Sequence, residues 1–500
     1  MTRRTLVALA LTGTLLLAGC TESDPVRATA EPTATDGIDR SYIDPSLPVA
    51  ARVEVLLGQM TQVEEGSLKA GDVASLGPGS VLHGGVSVGG KGDLEAWKSA
   101  VVAHEKEAEN DTRLGIPILY GVDAVHGFGS MYGATVFPQQ IGLGAANSPE
   151  LMTQIGIVTA QEMAAAGIRW NFSPVLAMPE DIRWGRTYET YSQDPAIVEA
   201  LGVAYIKGLQ GSDLSNPSAV LATAKHFVGD GATAFGSSTQ VIDTPYLLDQ
   251  GDTPADPELL NDRLLPPYQA ALDAGVGSVM ATYSSWGGLK VHGDGSLLTD
   301  TLRDEMGFTG FVVSDWAGCD QINLDDYDDS IVQCINAGVD MVMTPYDGPA
   351  FQAALNKSVI NGSISQERID EAVRRILTVK FEMDLFENAY PDPSAASLVG
   401  SPENRAVART AVQQSQVLLK NDGALPIPET VRSIAVVGNA ANDMGIQAGG
   451  WTQSWQGTSG SVIPGNTIWS ALKERAGADV TVIAALPESG TFDVCVAAVG

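Results

Sequence analysis

Phe311-Val312-Val313-Ser314-Asp315-Trp316 reads as a short apolar strand that ends in a carboxylate and an aromatic ring. An apolar run without alternation is what a parallel strand buried on both faces requires. Six further runs have this character: Ser80–His83, Ile118–Tyr120, Arg169–Phe172, Val220–Lys225, Gly277–Tyr283 and Asp340–Met343. Helical patterns lie between them, among them Pro149–Ala166 and Gln366–Phe381. Repeated βα units predict an α/β protein, and seven of them over residues 45–387 predict a (β/α)8 TIM-type barrel whose eighth strand is unplaced.

Downstream, Asn388–Pro402 is rich in Pro, Ser and Gly and reads as a linker. A helix over Glu403–Leu419 and strands at Ser433–Val437, Val480–Ala484 and Asp493–Val499 then predict a second α/β sandwich domain over 403–500. Val437-Gly438-Asn439 lacks the G-x-G-x-x-G spacing of a dinucleotide turn. Upstream, Arg3 and Arg4 precede a short apolar core, Leu6–Leu17, and Leu17-Ala18-Gly19-Cys20 looks like a lipobox. The apolar core is shorter than the roughly 20 residues of a membrane span. Residues 1–20 thus read as a lipoprotein signal peptide with Cys20 as the lipidated residue, and the polar residues 21–44 as a flexible tether.

The balance of 44% hydrophobic against 18% charged residues is globular. A net charge of −31 over 500 residues repels nucleic acid and anionic lipid, so no nucleic-acid partner is expected, and the only membrane contact expected is the lipid anchor. A neutral substrate suits such a surface. No Cys/His spacing suits zinc, and neither metal nor cofactor is expected. Cys319 and Cys334 are open to two readings, a disulfide or two buried thiols.

In a parallel barrel, polar groups at strand C-termini converge on one face. Asp123 follows Ile118–Val122; Lys225 and His226 end the Val220 run; Tyr283 ends the Gly277 run, with Trp286 close behind; Asp315 ends the Phe311 run. Singly, each has a plain structural reading as helix cap, ion pair or core ring. Together they supply the carboxylates, cations and aromatic faces that a sugar pocket needs.

The chain resembles glycoside hydrolase family 3. The matching segments include Gly121-Val122-Asp123-Ala124-Val125-His126-Gly127, Arg183-Trp184-Gly185-Arg186-Thr187-Tyr188-Glu189, Lys225-His226-Phe227-Val228-Gly229-Asp230-Gly231, Tyr283-Ser284-Ser285-Trp286, Ser314-Asp315-Trp316, and Gly449-Gly450-Trp451-Thr452 through Trp455-Gln456-Gly457. The resemblance implies a retaining exo-acting β-glucosidase acting on β-glucan or oligosaccharide. It implies Asp315 as nucleophile, Asp123, Arg186, Lys225 and His226 as hydroxyl ligands with Tyr283 beside the nucleophile, and Trp286 and Trp455 as an aromatic clamp. Gln193 departs from the Glu usual in Tyr191-Ser192-Gln193-Asp194. The acid/base carboxyl is expected after a strand like Val496–Gly500, so it is not assigned in this chain and the second domain is expected to be truncated. β-N-acetylglucosaminidase and β-xylosidase activity of the same family, and a non-catalytic glycan-binding lipoprotein, are the competing readings. Asp230, where the acetylglucosaminidase branch has a second His, weighs against the first. Cys20→Ala is expected to release the protein from membranes; unchanged membrane fractionation of the variant would remove the lipidation assignment.

Overall fold

The computed structural model describes residues 37–61, 79–89, 92–238, 246–484 and 491–500. The expected signal peptide, Cys20 and tether residues 21–36 lie outside them. Residues 37–44 do not behave as tether. Arg40–Ile43 forms a 3-10 turn, Tyr42 is buried, and its Oη donates to Leu114 O at 2.7 Å. One aromatic ring with a core to enter is enough to fix that stretch.

Six parallel strands form the main sheet in the order β1 (Ser80–His83), β2 (Leu119–Val122), β3 (Trp170–Asn171), β4 (Leu221–Phe227), β5 (Ser278–Ala281) and β6 (Phe311–Val313). The Asp340–Met343 run was expected as a full strand and is reduced to one parallel bridge, Met341 to Val313. Asp340 is instead held by three guanidiniums, Arg303, Arg368 and Arg375. The sheet curls far enough for Ser80 Oγ of β1 to reach Met341 Sδ at 3.4 Å.

Side-chain alternation gives the sheet two apolar faces. Leu119, Trp170, Leu221, Met280, Phe311 and Val313 make one cluster, while Tyr120, Val122, Val279 and Val312 join the larger core with the helices. Trp170 packs edge-on to Phe172 and Phe311, and its indole N–H donates to Thr223 Oγ1 at 2.8 Å, so its polar end is satisfied. Gly121 allows this packing, since a Cβ there would lie 2.5 Å from the Phe172 ring.

The helices start where the sequence signals them. α1 (Pro149–Ala165) begins with Ser148 accepting from Leu151 N–H, and α2 (Pro195–Gln210) with Asp194 accepting from Ala196 N–H; both carry Pro in the first turn. α3 (Tyr327–Ala337) is tied to the turn after β6 by a Cys319–Cys334 disulfide, which settles the two readings of these cysteines. Closing a loop of 15 residues removes about 3 kcal/mol of unfolded-chain freedom. α4 (Gln366–Glu382) packs along the first helix, Val49–Leu57.

α5 (Pro402–Gln414) is shorter than the Glu403–Leu419 expected; Val417, Leu418 and Leu419 are exposed, so no burial rewards continuing the helix. A second sheet follows, with β7 (Ser433–Val437) between β8 (Thr481–Ile483) and β9 (Val494–Ala497), all parallel. Among the described residues no helix is long and apolar enough to cross a membrane.

The junction between the two parts is organised by the buried Glu162 of α1. Its carboxylate accepts from Thr135 N–H (2.6 Å), Thr135 Oγ1 (2.8 Å), Gly400 N–H (2.9 Å) and Asn404 Nδ2 (3.0 Å). Removing it leaves buried donors without acceptors, at about 1–3 kcal/mol each. Glu162→Ala is expected to lower the melting temperature by several degrees and to speed proteolysis within residues 388–402, whereas Ala at the first-turn residue Glu403 should do neither; calorimetry and limited proteolysis make the comparison.

Candidate active site

The strand ends do converge. Lys225 Nζ donates to Asp123 Oδ1 at 2.7 Å. Arg186 makes a two-pronged contact with Glu189, 2.9 Å on each prong, and its NH2 lies 3.4 Å from His226 Nε2. His226 Nε2 lies 3.6 Å from Asp315 Oδ2, and Nδ1 lies 2.6 Å from Asp230 Oδ2. Asp123, Lys225, His226 and Asp315 therefore come together, as their strand-end positions predict, and Arg186, expected only from the resemblance, joins them beside His226.

The two oxygens of Asp315 differ. Oδ1 accepts from Trp316 N–H at 2.7 Å; Oδ2 is buried, faces His226 and accepts no regular hydrogen bond. Asp315 N–H donates to His292 Nε2 at 3.0 Å, which fixes that imidazole as an acceptor. Burial holds the His292 pKa down at about 3, consistent with a neutral ring. Burial raises the Asp315 pKa above its ordinary value, opposed by the Arg186 charge. Tyr283 donates to Trp316 O, and burial together with the Asp315 charge keeps its phenol protonated. Despite burial, Arg186 holds Glu189 ionised. Such a carboxylate, one oxygen anchored and the other without a hydrogen-bond partner, is suited to attack an electrophilic carbon, with cations alongside to grip hydroxyls.

His226 Nδ1 and Asp230 Oδ2 lie close, but neither atom makes a regular hydrogen bond. Burial and the neighbouring Arg186 hold the His226 pKa well below its usual value, so the ring is neutral and hydrogen-bonds rather than donates a proton as imidazolium. Asp230 is also occupied by Thr282 Oγ1 and by Ser284 Oγ at 3.3 Å. Among the described residues no cluster suits a metal ion.

The rim is built from both sheets' loops. Gln139 Nε2 donates to Ala448 O (2.9 Å) and Gly450 O (2.8 Å), Thr452 Oγ1 meets His126 Nε2 at 3.2 Å, and Gln453 N–H donates to Gly129 O at 3.0 Å. These contacts hold Trp451 (φ 59°) and Gln453 (φ 62°) in the left-handed region, which costs a non-glycine residue about 1–3 kcal/mol. The outcome is a Trp451 ring 5.2 Å from Lys225 Nζ and 6.4 Å from the Trp455 ring.

The Trp286–Trp455 pairing is not what the structure brings together. Trp286 sits on a hairpin pairing with Thr253 and packs partly into the main core. The rings that pack against the end of β1 are Trp316 and the Trp451–Trp455 pair: a Cβ on Gly84 would lie 2.5 Å from Trp316, and one on Gly85 2.6 Å from Trp451 and 3.3 Å from Trp455 Cβ. Glu189, Asp230 and Trp451 lie inside segments quoted for the resemblance but carried no expected role. His292 gave no signal at all, because only the fold sets Val291-His292-Gly293 against Asp315.

Fold and pocket define an α/β protein whose strand-end site has the make-up of a carbohydrate pocket. Residues 52–379 match the glycosyl hydrolase family 3 N-terminal domain and residues 416–500 the corresponding C-terminal domain. The chain belongs to glycosyl hydrolase family 3.

A lysosomal beta glucosidase of Dictyostelium discoideum is 30% identical over 453 residues, 84% of this chain and 54% of that protein. A periplasmic beta-glucosidase of Salmonella typhimurium is 33% identical, over 68% of this chain and 43% of that protein. The chain thus spans about half the length of these relatives. Among solved structures, the exo-1,3/1,4-beta-glucanase of a Pseudoalteromonas species superposes with a TM-score of 0.82 at 38% identity, covering 90% of this chain and 58% of that one. The Listeria innocua beta-glucosidase in complex with glucose superposes with a TM-score of 0.76 at 27% identity, covering 90% of this chain and 64% of that one.

Glu189 is wholly buried against Arg186, so breaking the pair from one side leaves a lone charge in the interior. Arg186→Met is expected to destabilise by about 3–5 kcal/mol, and Arg186→Met with Glu189→Leu by clearly less. Denaturation midpoints of the two variants decide it; equal losses would mean the pair is not what stabilises this wall.

Proposed function

We propose that this protein is a retaining exo-acting β-glucosidase that removes terminal glucosyl residues from β-glucans or their oligosaccharides. The observation that carries the reading is the Asp315 carboxylate, anchored through Oδ1 and without a hydrogen-bond partner at its buried Oδ2, in a cluster with Asp123, Arg186, Lys225 and His226. The curled sheet is read as a (β/α)8-type barrel and residues 403–500 as part of a second α/β domain. Cys20 is read as a lipid anchor on the outer side of a membrane; the periplasmic relative supports an extracytoplasmic setting.

In this reading Asp315 Oδ2 attacks the anomeric carbon from the face opposite the leaving oxygen and forms a glycosyl ester. Asp123 accepts from sugar hydroxyls, and Lys225 and Arg186 donate to them. The hydrogen bond from Trp316 N–H keeps the attacking carboxylate oriented, and the neutral His226 moves no proton. Trp316 and Trp455 border the space for the leaving group. Retention requires a second carboxyl about 5–5.5 Å from the nucleophile. Asp230 is turned toward His226, Thr282 and Ser284, so no described residue is assigned to that role. The reading takes it from the second α/β domain.

A 2,4-dinitrophenyl leaving group departs without protonation, so 2,4-dinitrophenyl β-glucoside isolates the first step. Label on the Asp315 peptide is expected by mass spectrometry, and none in Asp315→Ala. Because burial raises the Asp315 pKa and attack needs the carboxylate, labelling should fall as the pH is lowered, and do so at a higher pH than for an ordinary Asp. Label on another residue removes Asp315 from the role.

A further inference from the structure

Just past the end of β6 the backbone that carries Asp315 turns tightly. Gly318 N–H donates to Asp315 O at 2.9 Å, and Ala317 sits at φ 49°, in the left-handed region that residues with a side chain rarely adopt. The Trp316 N–H that anchors Asp315 Oδ1 belongs to this turn. The direction of the carboxylate therefore depends on whatever holds residues 315–318 in an uncommon backbone path. The neighbouring run holds part of it: Ser314 N–H donates to Met341 O at 2.9 Å and Ala317 N–H to Met343 O at 3.3 Å. The N–H of Asp315 itself needs another acceptor.

That acceptor is His292 Nε2, at 3.0 Å. His292 arrives on a 3-10 turn, Val291–Gly293, directly after the hairpin that carries Trp286, and is fully buried. Its ring lies against the inside of the 315–318 turn: a Cβ on Gly318 would come within 2.3 Å of Nε2 and 2.5 Å of Cε1. Gly318 has an ordinary helical backbone, φ −69°, so the imidazole rather than the chain path is what excludes a side chain there. Nε2 can accept only while the ring proton sits on Nδ1. Nδ1 makes no regular hydrogen bond, so the firm polar contact of this ring is the one with the Asp315 N–H. A histidine kept for packing alone has no need of that lone pair.

We infer that His292 is a positioning residue for the attack: its neutral imidazole accepts from the Asp315 N–H and is the form around which the 315–318 turn is folded, so that Trp316 N–H stays on Oδ1 and Oδ2 stays aimed at the anomeric carbon. Being fully buried, the ring reaches no sugar, and it moves no proton. It acts through the main chain of the nucleophile. The inference rests on the glucosidase reading above and adds to it a residue that sets the rate of the first step without binding the substrate.

Two readouts on the full chain separate positioning from a merely structural role: the rate of Asp315 labelling by 2,4-dinitrophenyl β-glucoside, and the affinity for glucose by calorimetry. His292→Leu removes the acceptor, Gly318→Ala keeps it but pushes the ring aside, and His292→Gln restores an amide oxygen near the place of Nε2. Misplacing an attacking atom by about 1 Å costs on the order of 10²-fold, so His292→Leu and Gly318→Ala are each expected to slow labelling by about 10–100-fold while glucose affinity moves by less than about threefold. His292→Gln should recover most of the rate. Once His292→Ala has emptied the space, adding Gly318→Ala should cost little more. Labelling of either His292→Leu or Gly318→Ala within about threefold of the parent rate overturns the inference while the glucosidase reading stands. A loss of rate matched by an equal loss of glucose affinity, or no recovery in His292→Gln, overturns it as well. Should His292→Leu fail to fold, Gly318→Ala and His292→Gln decide by the same criteria. If the parent protein is not labelled at Asp315, the glucosidase reading falls and this inference falls with it.

Discussion

The pocket depends on burying many ionisable groups close to one another, two carboxylates beside cations and two beside a neutral imidazole. Asp123 has Lys225, Glu189 has Arg186, and Asp230 and Asp315 face the two nitrogens of His226. Ions taken out of water cost several kcal/mol each unless partners replace the lost solvation. The strand ends bring these partners from different parts of the chain: Asp123 from β2, Arg186 from beyond β3, Lys225 and His226 from β4, Asp315 from β6. A parallel sheet curled on itself is what lets residues up to 192 positions apart in sequence, Asp123 and Asp315, share one buried cluster. The residual polarity left over is concentrated at Asp315 Oδ2.

The second half of the chain contributes by reaching in rather than by supplying charge. Its rim loop is held in costly backbone conformations at Trp451 and Gln453, and the hydrogen bonds that hold it run to Gly129, His126 and Gln139 on the first half. Glu162 secures the other end of the same junction, taking donors from Thr135, Gly400 and Asn404. Thr135 lies four residues before Gln139, so one buried carboxylate steadies both the loop that grips the rim and the helix that carries the second sheet. Position of the aromatic rim is therefore a property of the junction as much as of the rim loop.

Much of this was legible in the sequence because it rests on local pattern. Continuous apolar runs located six strands, and helical patterns located the helices at Pro149–Ala165 and Gln366–Glu382. Strand-end polarity located Asp123, Lys225, His226 and Asp315 together. What was not legible depends on tertiary context. The Asp340–Met343 run looks like its neighbours, yet three arginines capture Asp340 and only Met341 bridges. Tyr42 looked like part of a tether until a core was available to it. Trp286 and Trp316 are equivalent as residues near a strand end; only the close approach of Gly84 to Trp316 places the latter beside the residue that Trp455 packs on. His292 acts through a backbone N–H, a contact that leaves no trace in residue type.

The Cys319–Cys334 bridge begins four residues past Asp315 and staples the turn after β6 to α3. That makes the neighbourhood of the reactive carboxylate a record of the compartment in which the chain matured. Thiols kept reduced in a cytosol would leave this turn held by packing alone, while oxidation during export would lock it. Folding history and cellular address are thus written into the same short stretch that presents Asp315, so the origin of any preparation, cytosolic or exported, is part of its chemistry.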